Sequence, residues 1–359
     1  MIETRTIIIA AAVLLVALYA VGGHFAALYF YNKNMRRIET TKPDEFSLYL
    51  NYNDIDMVKY PRREFSFTSG QNKLVGFEYG GDNVRGLVIV AAGRGGTADD
   101  YMNFTIRLVD DGYRVLTYDK TGTARSEGNT LIGLYQPAID LDALLTTIEA
   151  KSEYDDLPVY LLGHSMGGYG VCAVLEKTNR VKAAISLAGY NDGAELYTDQ
   201  GLHMFGKKYY SLLPHFWFIQ KRHFGSAMKM SAVHGINATD IPVLIIHGKT
   251  DEMVTCDTLS VYSHKDEITN QAVQYMLTEG SHEWLYSSKA AMTYHREMEK
   301  SLEAYLSRPD VKAQLDADSG SPAKLKAQWA QSVQLDKFLY NEIDEDVMSN
   351  IKNLFDAAG

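Results

Sequence analysis

Two cysteines, Cys172 and Cys256, are all that 359 residues contain, and neither belongs to a Cys-x-x-Cys pair. Zinc, iron–sulfur and thioredoxin-type chemistries therefore lack their usual ligands, and two free thiols are expected rather than a disulfide. A cationic excess is missing as well. Lysine and arginine number 35 against 45 aspartates and glutamates, a formal net charge of −10. Nothing is left over to neutralise a phosphate backbone, which argues against a nucleic-acid partner. No internal repeat and no low-complexity tract is present.

Charge is also absent from one long stretch. Residues 7–31 read IIIAAAVLLVALYAVGGHFAALYFY, with His24 the only ionisable group apart from tyrosines. At about 1.5 Å per residue, such a helix crosses a hydrocarbon core of about 30 Å with some tilt to spare. Tyr29 and Tyr31, followed by Lys33, Arg36 and Arg37, resemble an interfacial belt with cationic anchors. The alternative is a cleaved signal peptide ending near Ala26, but the apolar core is long for that role and only Arg5 charges its front end. Residues 1–31 are thus expected to be a single-pass membrane anchor, with 32–61 a juxtamembrane linker. Lys33, Arg36, Arg37 and Lys42 outnumber Arg5, so the tendency of positive flanks to stay inside places the rest of the chain in the cytoplasm.

Beyond the linker, strand and helix patterns alternate. A hairpin is expected over 63–67 and 74–79, with Ser69-Gly70 at its turn. Buried strands follow at 84–91, 113–118, 159–163, 181–188, 241–247 and 273–277. Helices fall at 101–110, 138–150, 166–176 and 290–306. Apolar β runs separated by helices predict an α/β fold, a mostly parallel sheet with helices on both faces. Residues 189–240 break the rhythm, with no clear strand. After 306 a polar break ending at Ser321-Pro322 leads into a helical C-terminal extension, 307–359.

The chemistry concentrates at VYLLGHSMGGYG. Gly163-His164-Ser165-Met166-Gly167 fits G-x-S-x-G, with a strand before it and a helix after it. That context makes a sharp strand-to-helix turn, too tight for side chains at its flanks, which thrusts the hydroxyl out at a helix N-terminus. A serine hydroxyl needs a base to take its proton. His282, in TEGSHEW, lies in the loop after the last strand, at the sheet edge that the C-terminal ends of parallel strands share. Asp251, in IPVLIIHGKTDEMV, reaches the same edge and can orient the imidazole. Glu252 is the alternative acid, and His247 reads as a packed strand-end residue rather than a rival base.

With these residues in place, 62–306 resembles an α/β-hydrolase of the lipase, esterase and serine aminopeptidase-like branch. VIVAAGRGG (88–96) resembles that family's oxyanion loop, and YDKTGTARSEG (118–128) its glycine-rich segment after the fourth strand. The order Ser165, Asp251, His282 is the family's order. Ala92 stands where relatives often have histidine, and Ala124 where a second glycine is common. The resemblance implies backbone N–H groups of Arg94 and Met166 as oxyanion donors, with the Arg94 side chain a solvated or gating charge. It also implies a cap formed by 189–240.

On that resemblance the expected reaction is acyl transfer to water through an acyl-enzyme, with no metal or organic cofactor. The expected substrate is a small-molecule acyl ester or lipid-like ester, because the cap's core, YYSLLPHFWFI (209–219), offers an apolar wall for a pocket. A serine aminopeptidase is the alternative, with Glu195 and Asp199 to hold an α-ammonium group. Two further readings differ in class. Residues 93–98 fit G-x-G-x-x-A with Asp119 about twenty residues on, as in an NAD-linked oxidoreductase. A non-catalytic binding module on the same fold is the last. The hairpin ahead of the strand counts against the oxidoreductase, and the ordered Ser165, Asp251 and His282 count against both.

Overall fold

A computed structural model describes residues 2–39, 47–316 and 322–359. Lys42 of the expected cationic flank and the end of the expected polar break, 317–321, lie outside the described residues. The hairpin forms from β1 (Arg62–Ser69) and β2 (Asn72–Tyr79), joined through Gly70 at φ +59°. Strands β3 (Leu87–Ala91), β4 (Arg114–Tyr118), β5 (Val159–His164), β6 (Val181–Leu187), β7 (Val243–Gly248) and β8 (Val273–Thr278) complete an eight-stranded sheet. Its order is β1-β2-β4-β3-β5-β6-β7-β8. β2 pairs antiparallel with β1 and β4, and every later pairing is parallel.

Alternation along each strand explains the helices on both faces. In β3, Leu87, Ile89 and Ala91 point one way and Val88 and Val90 the other, and all are buried. The chain opens with α1 (Ile2–Asn34). Then α2 (Met102–Asp110) covers the Val88 face, while α3 (Gln136–Glu149) and α4 (Met166–Ala173) cover the Leu87 face. Residues 189–240 form α5 (Gly193–Phe205), α6 (Tyr209–Phe224) and α7 (Ala232–Asn237), joined by short 3₁₀ turns. After β8 come α8 (Lys289–Leu306), α9 (Pro309–Asp316), α10 (Pro322–Ser332), α11 (Lys337–Tyr340) and α12 (Glu345–Ala358).

The two ends differ from the simplest reading of the sequence. The last helix is part of the main core. Val347, Met348, Ile351, Leu354 and Phe355 recur at helical spacing, are fully or nearly buried, and seal the Val88 face beside α2. The stretch expected as a linker is folded onto the domain wherever it is described. Leu50, Ile55 and Tyr60 are buried in the core, and Ile38 bridges Thr123. The Arg37 guanidinium donates to the carbonyls of Ser126 and Gly128 at 2.8 Å each, and to that of Ala124. Ala124 itself sits at φ 44°, a left-handed conformation that the family's usual glycine adopts at no cost.

α1 has two characters. Its C-terminal turns join the cap, with Ala27 and Tyr31 buried among cap aromatics. Residues 4–22 before them are exposed, and this is the one helix among the described residues long and apolar enough to cross a membrane.

Candidate functional site

β5 ends and α4 begins without a connecting loop, so the reversal falls on single residues. Ser165 takes φ 54° and ψ −114°, a backbone strained by about 1–3 kcal/mol for a side chain with a Cβ. The flanking glycines are steric necessities. A Cβ on Gly163 would strike the Gly167 carbonyl, and one on Gly167 the carbonyl of Ala91 in β3. The result is a hydroxyl held at the N-terminus of α4, where partial positive charge gathers.

The structure brings Ser165, His282 and Asp251 together. His282 Nε2 lies 2.8 Å from Ser165 Oγ, and its Nδ1 lies 2.7 Å from Asp251 Oδ2. These partners fix the neutral tautomer: Nδ1–H donates to the carboxylate, and Nε2 accepts from the serine. Asp251 Oδ1 accepts from the N–H groups of Met253 and Val254 at 2.9 and 2.8 Å. Burial alone would push this carboxyl up. Hydrogen bonds from His247 and His282 outweigh it and hold Asp251 well below the usual carboxylate range. Glu252 is exposed and takes no part.

Four side chains with no part in the site as read from sequence support this trio. His247 is buried at the end of β7, as expected of a packed residue, but its Nε2 also donates to Val254 O at 2.8 Å and lies 3.2 Å from Asp251 Oδ2. His164 donates from Nε2 to the backbone carbonyl of His282 at 2.9 Å, and its Nδ1 accepts from Tyr101 Oη at 2.7 Å. Tyr101 Oη in turn accepts from Gly93 N–H at 3.0 Å. One buried chain thereby runs from the loop after β3 to the backbone of His282. Burial, reinforced by the nearby His282, pushes the His164 imidazole down to about 4, so it stays neutral there. Lys120 is the fourth. Its buried ammonium donates to Gly93 O at 2.7 Å and Gly96 O at 2.8 Å, clamping the same loop. Burial lowers it to about 8, against the pull of Asp119, Asp140 and Asp100. Only its position inside YDKTGTARSEG could have signalled it.

With Gly93 N–H taken by Tyr101, the next amide of that loop belongs to Arg94. Arg94 and Met166 both border the cavity in front of Ser165. The Arg94 side chain is not a free charge: it donates to the carbonyl of Asn34 at the C-terminal end of α1. The cavity is about 350 Å³, walled by Leu134, Tyr190, Leu196, Val254 and Tyr286. Ile38 and Tyr49, from the segment after α1, also line it, as do Asp100 and Glu283.

Several expectations are corrected here. Residues 209–219 do not line the cavity; Tyr190 and the α5 residues Leu196 and Gln200 supply the share of 189–240, and α6 packs along α1. Glu195 and Asp199 do not line it either. Glu195 faces His264 at 3.4 Å and Asp199 faces His203 at 3.6 Å. The dinucleotide reading loses its acid: Asp119 is fully buried, accepting from the N–H groups of Ala98 and Arg125. Among the described residues no cluster of three His, Cys, Asp or Glu side chains could hold a metal ion.

Comparison with known proteins finds similarities of sequence family and of fold. The family model described as serine aminopeptidase S33 matches residues 82–233. An esterase from Pyrococcus furiosus superposes with a TM-score of 0.51 at 17% identity, over 76% of this chain and 98% of its own. An acylaminoacyl peptidase from Pyrococcus horikoshii aligns at 16% identity and a TM-score of 0.48, over 63% of this chain and 38% of its own. No curated protein sequence matches the chain.

Proposed function

Starting from the α/β-hydrolase fold that this chain has, we propose that it is a membrane-anchored serine hydrolase that cleaves acyl esters of small or lipid-like molecules. The observation that carries the proposal is His282, poised between Ser165 Oγ at 2.8 Å and Asp251 at 2.7 Å. Ser165 Oγ attacks the ester carbonyl while His282 Nε2 takes its proton, and Asp251 stabilises the imidazolium. The tetrahedral oxyanion is held by the N–H groups of Arg94 and Met166. Collapse expels the alcohol, which takes the proton from His282 and leaves an acyl-serine. Water then attacks, again with His282 as base, releasing the carboxylic acid and restoring Ser165. The apolar walls of the cavity favour an acyl chain, each buried methylene contributing about 0.8 kcal/mol. The apolar part of α1 supplies the anchor.

Peptidase activity is the second reading, supported by carboxylates different from those the sequence suggested. Glu283 and Asp100 border the cavity, where one could hold an α-ammonium group. A series of nitrophenyl esters from acetate to decanoate, set against aminoacyl nitroanilides, separates the two. Short to medium esters should be cleaved well and anilides poorly, with Glu283→Gln having little effect on ester turnover. Efficient anilide cleavage that needs a free amino group and is lost in Glu283→Gln would replace the esterase with the peptidase.

A further inference from the structure

The turn that carries Arg94 is pinned on both sides of Gly93. The Gly93 N–H donates to Tyr101 Oη at 3.0 Å. The Gly93 carbonyl accepts from Gly96 N–H at 3.2 Å, which closes the turn over Arg94 and Gly95. It also accepts from the Lys120 ammonium at 2.7 Å, and the Gly96 carbonyl accepts from the same ammonium at 2.8 Å. The Arg94 N–H itself has no acceptor among the described residues.

A peptide unit is planar and trans, so a residue's carbonyl and the next residue's N–H point to opposite sides. Fixing the Gly93 carbonyl therefore fixes the Arg94 N–H as well, and aims it away from Lys120. Gly93, Arg94, Gly95 and Gly96 border the cavity in front of Ser165, whereas Lys120, at 2% exposure, lies behind the turn and does not. The turn stands directly beside the nucleophile: a Cβ on Gly93 would lie 3.4 Å from Ser165 Cβ. Glycine leaves the backbone at 93 its widest freedom, so the direction of the 93–94 peptide depends on these pins.

Satisfying a turn does not by itself explain a buried cation, which is costly to take out of water. The Gly93 carbonyl already has the Gly96 N–H, and Gly95 is exposed. Neighbouring carboxylates do not explain it either. Asp119 accepts from the N–H groups of Ala98 and Arg125, and Asp140 from Ser69, Thr121 and Gln136. Both hydrogen bonds of the ammonium go to this one turn.

We propose that Lys120 is a positioning residue for ester cleavage, which turns the Arg94 N–H toward the oxyanion by holding the Gly93 carbonyl from behind. The proposal rests on the serine hydrolase reading above. The positive charge also polarises the 93–94 peptide and strengthens its N–H as a donor. Such a donor acts as negative charge develops on the substrate oxygen, so its loss falls on kcat rather than on KM.

Full-length protein in detergent at pH 7 provides the test. In Lys120→Met the charge and both hydrogen bonds are gone. The kcat for nitrophenyl butyrate should fall about a hundredfold, the scale of one lost oxyanion donor, with KM changed by less than about twofold. A trifluoromethyl ketone, to which Ser165 adds to form a tetrahedral oxyanion, should lose affinity by the same factor as kcat. The unreactive nitrophenyl butyl ether should compete equally well for both proteins. If Lys120→Met has no cooperative unfolding transition, Lys120→Gln, neutral and too short to keep both carbonyls, is read in the same way. A folded variant with wild-type kcat and ketone affinity would overturn the proposal. So would equal losses for ketone and ether, which mark a site that is merely distorted. Ser165→Ala keeps two failures apart. If it is inactive while folded Lys120→Met turns over normally, the role of Lys120 falls alone. If it hydrolyses the ester at the wild-type rate, the hydrolase reading falls and this proposal with it.

Discussion

His164 occupies the variable position of the G-x-S-x-G motif, yet it is the most consequential polar neighbour of Ser165. It must accept from Tyr101 with Nδ1 and donate to His282 O with Nε2, a pattern open only to the neutral ring. Its folded value of about 4 lies below the ordinary 6.5. The stabilisation from keeping it neutral is therefore fully present above pH 6.5 and is lost as pH falls toward and through 4. The expected size is about 3 kcal/mol. Denaturant unfolding of wild type and His164→Gln across this range measures it. The variant should be less stable at pH 7 but should lose less on acidification, so the two curves converge. Parallel acid limbs would show that His164 is not the group responsible. Stability is the right readout, because activity depends on His282 as well as on His164.

At the scale of elements, what could be read from sequence depended on how many faces each segment buries. Strands β3 and β5 to β7 are covered on both sides, so their unbroken apolar runs announced them. The elbow followed from its glycines, whose steric role the structure repeats at Gly163 and Gly167. Helices with one apolar face were recognisable as helices, but periodicity does not say what that face covers. So α6 was expected to wall the cavity and instead lies on α1, while α12 read as an appendage and instead closes the core. The Tyr101–His164–His282 chain was out of reach for another reason: it joins residues 63 and 118 positions apart through a backbone carbonyl. For α12 the consequence is measurable. Val347, Met348, Ile351, Leu354 and Phe355 are buried at 3% exposure or less, and at about 1.5–3 kcal/mol each their loss rivals the whole stability of a domain. A chain ending before Glu345 should show no cooperative unfolding transition and should collect as aggregate. A truncated protein that kept the wild-type Tm would contradict this place for α12.

Across the whole molecule, distant parts of the chain converge on one hydroxyl. Ser165 and His282 are 117 positions apart, and Asp251 stands 31 positions before His282, yet all three meet at the C-terminal edge of the sheet. The order of the three residues could be read from the sequence because loops after parallel strands open on that edge. The second ring of support could not, since Lys120, His247 and Tyr101 do their part by burial and hydrogen bonding rather than by motif. The N-terminal end is tied into the same site, with Ile38 and Tyr49 lining the cavity and Asn34 O holding the Arg94 side chain. The C-terminal turns of α1, residues 189–240 and Ser165 thus belong to one assembly, and the central claim is that Ser165 is its reactive group. A fluorophosphonate probe tests this most directly, because it forms a stable adduct only with a serine whose proton a base removes. Full-length protein in detergent should take up one equivalent on the tryptic peptide containing Ser165, with ester hydrolysis falling in step, and Ser165→Ala should do neither while keeping the wild-type Tm. Labelling at another residue, or wild-type hydrolysis by folded Ser165→Ala, would contradict the account.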